Sequence, residues 1–242
     1  MHVLITRPTE DATALAAALQ QSNIQSTTEP LLDIVYLDGP LSDLSDLSDL
    51  QGLLITSANG IRAFSRLSAR RDLVVWAVGD ASARTARELG FTNVRSASGD
   101  VGALATLVGA EADPKAGVLL HIAGTRRAGD LAGLLENTGF SYRRCVLYEA
   151  EAAAELSAGT RSSLAGGLLD GVLLYSPRTA AIFGRLVENA DLINALQTMT
   201  AFCLSPAVAD KIGDLGWKQV VIAPSPDETS LITKVLEVAR KV

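Results

Sequence analysis

Gly52-Leu53-Leu54-Ile55-Thr56-Ser57, followed by Ala58 to Phe64, returns later in the chain as Gly171-Val172-Leu173-Leu174-Tyr175-Ser176, followed by Pro177 to Phe183. Each copy is a short apolar run, then a Ser, then a helix-like segment with Phe at the same offset. Such a run, ended by a hydroxyl residue, reads as a strand buried on both faces. The likeness extends downstream. Trp76-Ala77-Val78-Gly79 is answered by Phe202-Cys203-Leu204-Ser205, and Ala83 to Phe91 by Ala209 to Trp217. Asn93-Val94-Arg95-Ser96-Ala97 is answered by Gln219-Val220-Val221-Ile222-Ala223. Repetition over this length, in constant order, indicates two copies of one α/β unit.

The two copies are out of phase with the chain ends. After the strand at 94–96, the first copy continues through a helix at Asp100–Gly109, a strand at 118–122, a helix at Asp130–Asn137 closed by Gly139, and a strand at Ser141–Tyr148. After 220–222, the second copy has one helix, Asp227 to Lys241. Its missing strand–helix–strand stands at the N-terminus. Val3 to Thr6 is a strand, Glu10 to Gln21 a helix that Thr9 can cap after Pro8, and 26–30 a second strand. One lobe is therefore expected over 39–145, and a discontinuous one over 1–32 with 156–242. Extended Leu31–Leu37 and acidic, Ala-rich Glu149–Glu155 belong to connectors at 33–38 and 146–155, expected to run side by side. Ser-Asp-Leu, repeated across Leu41–Leu50, suggests a short solvated helix. Strands alternating with helices imply a doubly wound parallel sheet in each lobe.

At 242 residues and 48% hydrophobic composition, the chain can build two packed cores. No apolar run reaches the roughly 18–20 residues a membrane helix needs. The N-terminus enters a strand without a charged region or cleavage site, so a cytoplasmic, non-secreted protein is expected. Cys145 and Cys203 lie in apolar strands and read as buried thiols. His2 and His121 have no Cys or carboxylate at ligand spacing, so no metal site is expected. The net charge of −6 argues against a nucleic-acid groove. Residues 39–145 carry 12 Lys and Arg against 11 Asp and Glu, while the remainder is net −7. The central segment is thus the better host for an anion, although solvated surface charge explains the same counts.

Ligands of doubly wound sheets bind beyond the carboxyl ends of the strands. Those ends carry Thr6-Arg7-Pro8, Thr56-Ser57-Ala58-Asn59, Gly79-Asp80-Ala81-Ser82, Ala123-Gly124-Thr125-Arg126-Arg127, Ser176-Pro177-Arg178-Thr179 and Ser205-Pro206. Small and hydroxylic residues let a ligand approach the backbone, and free N–H groups at helix starts suit carboxylate or phosphate. Ser and Thr at these positions also serve as helix caps, the favoured reading for any one of them, and several can do both. No nucleophile–base pair, P-loop or dinucleotide fingerprint is present. His121 reads as a core residue. Tyr148, where the second connector starts, reads equally as a packing residue and as a phenol aimed at a cleft.

These residues resemble the uroporphyrinogen-III synthase family. The likeness rests on Leu4-Ile5-Thr6-Arg7-Pro8, Ile55 to Gly60, Val78 to Ala83 with Gly90, Val146-Leu147-Tyr148, and Tyr175-Ser176-Pro177. It implies two flavodoxin-like lobes, one discontinuous, joined by a two-stranded connector. It implies a cofactor-free reaction in which linear hydroxymethylbilane loses water, its ring D is inverted and the macrocycle closes to uroporphyrinogen III. It further implies a monomer acting on a polycarboxylate, with transient contact to the preceding pathway enzyme. Through the resemblance, Tyr148 becomes the candidate for assisting departure of the hydroxyl. Thr6, Arg7, Ser57, Asn59, Ser82, Gly124, Ser176, Pro177 and Ser205 become candidate substrate contacts. The family's second Gly-Pro-Thr-Thr-Ala is here Ser205-Pro206-Ala207-Val208-Ala209, so both threonines are absent. That absence motivates an alternative, a catalytically inactive module that clamps an anionic small molecule. A two-lobed glycosyltransferase fits less well, because no nucleotide site is seen.

Overall fold

The computed structural model describes residues 1–38, 47–126 and 129–240. The chain divides into two compact units, Met1–Asp33 with Glu151–Val242, and Ile34–Ala150. In the central unit, β4 (Leu50–Ile55), β5 (Val74–Ala77), β6 (Val94–Ser96), β7 (Val118–Gly124) and β8 (Ser141–Ala152) form a sheet, with β3 (Leu32–Tyr36) on the edge beside β8. Its order is β3-β8-β7-β4-β5-β6, and the ladders from β8 to β6 are parallel. The helices are α2 (Ala58–Leu67), α3 (Asp80–Glu88), α4 (Val101–Glu111) and α5 (Leu131–Glu136).

The other unit has a five-stranded parallel sheet. Its strands are β1 (His2–Ile5), β2 (Gln25–Thr28), β9 (Gly171–Leu174), β10 (Thr200–Cys203) and β11 (Gln219–Ile222). The order is β11-β10-β9-β1-β2. Around it lie α1 (Thr9–Gln21), α6 (Ala158–Ala165), α7 (Pro177–Asn189), a 3-10 turn at Ile193–Thr198, α8 (Pro206–Ala209) and α9 (Glu228–Ala239). With β7 and β8 set in the places of β1 and β2, both sheets have one order. That is the circular order implied by the repeat.

Burial explains the unbroken apolar runs. Leu53 and Ile55 enter a core with Phe64, Ala83 and Ala86, while Leu54 enters another with Trp76, Leu104, Leu119 and Leu135. In the discontinuous unit, Val172 and Leu174 pack with Phe183 and Leu186, and Leu173 with Phe202, Leu15 and Leu231. Alternate side chains of one strand thus feed cores on opposite faces. Cys145 and Cys203 are buried thiols outside any disulfide, and burial pushes Cys203 up to about 12.

The glycine opening each repeat has the same cause. Gly52 pairs with Val74 and Gly171 with Thr200. A Cβ on Gly52 would stand 2.6 Å from the Val74 carbonyl and 2.5 Å from the Trp76 ring. On Gly171 it would stand 2.8 Å from the Thr200 carbonyl and 2.9 Å from the Phe202 ring. Each large ring thus lies against a strand position without a side chain.

Several sequence expectations shift. Thr9 is the first helical residue, and Pro8 holds the cap position without a side-chain hydrogen bond. The connectors at 33–38 and 146–155 keep their expected side-by-side course and are mostly strand, because β3 and β8 satisfy one another: Leu37 N donates to Leu147 O and Ala153 N to Leu31 O. Most of the expected helix at Leu41–Leu50, along with Arg127 and Lys241, lies outside the described residues, and Leu50 already belongs to β4. Helix α6 was not anticipated. Its cap is assembled by Glu29, distant in sequence. The Glu29 carboxylate, 6% exposed, accepts from Ser157 N at 2.8 Å, Ser157 Oγ at 2.6 Å and Thr160 Oγ1 at 2.5 Å. Among the described residues no helix is long and apolar enough to cross a membrane.

Candidate active site

In this strand order, the topological switch point lies where the chain order reverses, between β7 and β4 in one unit and between β1 and β9 in the other. In doubly wound sheets, ligands bind past the strand ends at such a point.

At the β7/β4 end, three expected residues come together. Gly124 is the last residue of β7, Ser57 follows β4, and Tyr148 comes from β8. The ladder between β7 and β8 is broken here: Ala123 pairs with Val146, but Gly124 pairs with Tyr148. Leu147 is the extra residue of a bulge. In a regular strand, neighbouring residues face opposite sides. Here Leu147 and Tyr148 enter the same core as Cys145. The bulge turns Tyr148 to the face it would otherwise avoid, the use to which bulges near active sites are put. The ring rests on Gly124. A Cβ there would lie 2.8 Å from Cε2, 2.9 Å from Cζ and 3.2 Å from the phenol oxygen.

Tyr148 is 8% exposed. Burial raises its pKa, opposed by a hydrogen bond with the Ser57 hydroxyl, the Arg144 charge and the Gly124 backbone. It is therefore a neutral donor at neutral pH. Ser57 has a second task, since its hydroxyl caps α2 by accepting from Asn59 N at 3.3 Å. The Asn59 side chain accepts from Arg62 at 3.1 Å.

His121 lies behind this group, on β7. Its Nδ1 is 2.6 Å from the Tyr142 hydroxyl and its Nε2 is 3.1 Å from the Thr56 hydroxyl. Burial, helped by the Arg144 charge, lowers its pKa to about 4. The imidazole is neutral at physiological pH and ties β7 to β8 and to the turn that follows β4. It is a core residue, as its strand position suggests.

The β1/β9 end is more occupied. Thr6 is 1% exposed and donates to Leu173 O at 2.7 Å, tying β1 to β9. Arg7 meets Glu228 at 2.5 Å and Asp11 at 3.1 Å, with its guanidinium 4.6 Å over the Tyr175 ring. Ser176 caps α7, accepting from Thr179 N at 3.1 Å, and Pro177 takes the first helical position. Ser205 precedes α8 without a side-chain capping bond. Ser82, in the first turn of α3, is 6% exposed and so faces its own unit's interior. Gly79, just before it, would have open space around a Cβ.

The β7/β4 end therefore unites Tyr148, Ser57 and Gly124. Thr6, Arg7, Ser176 and Pro177 gather at the second switch point, and Ser82 and Ser205 stand at other strand ends. Sequence reasoning passed over Arg144 and Glu29. Arg144 sits mid-strand opposite His121, and only the ladder shows that its side chain reaches the end of β7.

The family model described as uroporphyrinogen-III synthase HemD matches residues 13–233. No curated protein sequence matches. A uroporphyrinogen-III synthetase structure from Helicobacter pylori is 15% identical, covering 98% of this chain and 99% of that one with TM-score 0.62. A mutant uroporphyrinogen III synthase from the extremely thermophilic bacterium Thermus thermophilus is 16% identical over 100% of both chains, with TM-score 0.55. At such identities these two carry the fold, whereas the family model spans most of the sequence. By that match the chain belongs to the uroporphyrinogen-III synthase family.

Proposed function

We propose that this chain catalyses the family's reaction, closing linear hydroxymethylbilane to uroporphyrinogen III with loss of water and inversion of ring D, in tetrapyrrole biosynthesis. The observation that carries the reading is the family match over residues 13–233. The β7/β4 strand end supplies chemistry suited to it. A hydroxyl leaves more readily as water, and Tyr148 is a neutral phenol aimed by a bulge and held by Ser57. The absence of a nucleophile–base pair is no obstacle. Folding a flexible linear substrate so that its ends meet supplies much of the rate.

In this reading Tyr148 assists departure of the hydroxyl. Ser57, Asn59, Gly124, Ser176, Pro177 and Ser205 present hydroxyls and backbone groups to substrate carboxylates. Thr6, Arg7 and Ser82 act from behind, holding the strand ends. The protein works as a cytoplasmic monomer on a soluble polyanion, in transient contact with the enzyme that supplies it.

The test is incubation with freshly made hydroxymethylbilane, oxidation of the products and separation of their isomers. Type III isomer is expected in excess. Type I isomer at the spontaneous level would overturn the assignment.

A further inference from the structure

Arg144 carries more than a strand position requires. It pairs with His121 in the ladder and starts on the opposite face from Cys145 and Leu147. Its guanidinium then reaches the end of β7. Nη2 donates to Gly124 O and lies 3.5 Å from Thr125 O. Those two residues form the seat of Tyr148. The ring lies on Gly124, and Thr125 N donates to Tyr148 O at 3.0 Å. Arg144 Nε is buried without a hydrogen-bond partner among the described residues. An arginine held at that cost calls for an explanation.

We infer that Arg144 is a positioning residue for Tyr148, gripping the Gly124 and Thr125 carbonyls that seat the ring and holding a fixed positive charge beside the phenol. The surroundings fit. Ser57 approaches the phenol from the end of β4, and the Gly124 backbone from the end of β7. On β7, His121 is neutral at physiological pH and hydrogen-bonded to Thr56 and Tyr142. On β8, Glu149 points to the Thr125 hydroxyl at 3.5 Å. Arg144 is the charged group that acts on both Tyr148 and His121. The catalytic consequence rests on the proposed role of Tyr148. The structural claim does not.

The full-length protein is prepared with 3,5-difluorotyrosine, whose phenol is more acidic than tyrosine's, and each fluorine signal is titrated. The Tyr148 signal is identified by its loss in Y148F. In Arg144→Met the Tyr148 midpoint should rise by about one pH unit. Arg144→Lys, which keeps the charge, should stay near wild type. An unchanged midpoint in Arg144→Met overturns the inference, and Arg144→Gln gives the same readout if the Met variant fails to fold. With hydroxymethylbilane, Arg144→Met should lower kcat while KM stays within about twofold. A change confined to KM would make Arg144 a substrate anchor and overturn the positioning role. If the wild-type chain forms no type III isomer, the assigned reaction fails while the titration still decides the role of Arg144.

Discussion

The ring of Tyr148 rests on the α-carbon of Gly124. A methyl group added to that glycine would lie 2.8 Å from Cε2, closer than real side chains tolerate. The tyrosine and the end of β7 thus form one unit. Gly124→Ala should push the ring off its seat and cost about 1–3 kcal/mol, as overpacking does. Chemical denaturation reads the stability loss, and type III isomer formation should fall with it. A fully active, fully stable variant would show that the ring moves aside freely.

Tyr148→Phe keeps the ring and removes the hydroxyl. Turnover should drop roughly 100-fold, in the range of a lost general acid. The structural cost should be one hydrogen bond, about 1 kcal/mol. An unchanged rate would reduce Tyr148 to a packing residue.

Glu29 joins the two sequence segments of the discontinuous unit, accepting from Ser157 and Thr160 while nearly fully buried. Glu29→Ala leaves two hydroxyls and a backbone N–H without their acceptor. We expect a loss of about 3 kcal/mol. Ser157→Ala, which removes the α6 cap itself, should cost about 1 kcal/mol. Urea unfolding measures both, and equal small losses would mean that water replaces the carboxylate easily.

His121 makes stability depend on pH. Its pKa falls from 6.5 to about 4 on folding, because burial disfavours the charged form. The unfolded chain therefore takes up the proton first as pH drops. The stabilisation is whole above pH 6.5, declines as pH falls below it, and is exhausted near pH 4. Between pH 6.5 and 5 the loss should be about 2 kcal/mol. Urea midpoints across that range should slope for the wild type and flatten for His121→Gln. Parallel slopes would assign the dependence to other groups.

The repeat made much of this fold legible. Gly52 to Ile55 and Gly171 to Leu174 do occupy equivalent central strands, down to the ring that covers each glycine. Helix limits are less legible where the cap lacks a side-chain bond, as at Pro8, and at α6, whose cap also depends on distant Glu29. Ser57 and Ser176 proved to be caps as well as strand-end hydroxyls.

The sequence by itself determined that two α/β units share one strand order and that the N-terminus completes the second. Apolar periodicity and internal repetition are one-dimensional signals, readable without coordinates. Only the tertiary structure decided that Tyr148, Gly124, Ser57 and Arg144 meet. One extra residue in β8 reverses which way Tyr148 points. No periodicity announces a bulge, because its position follows from how two strands pair in space.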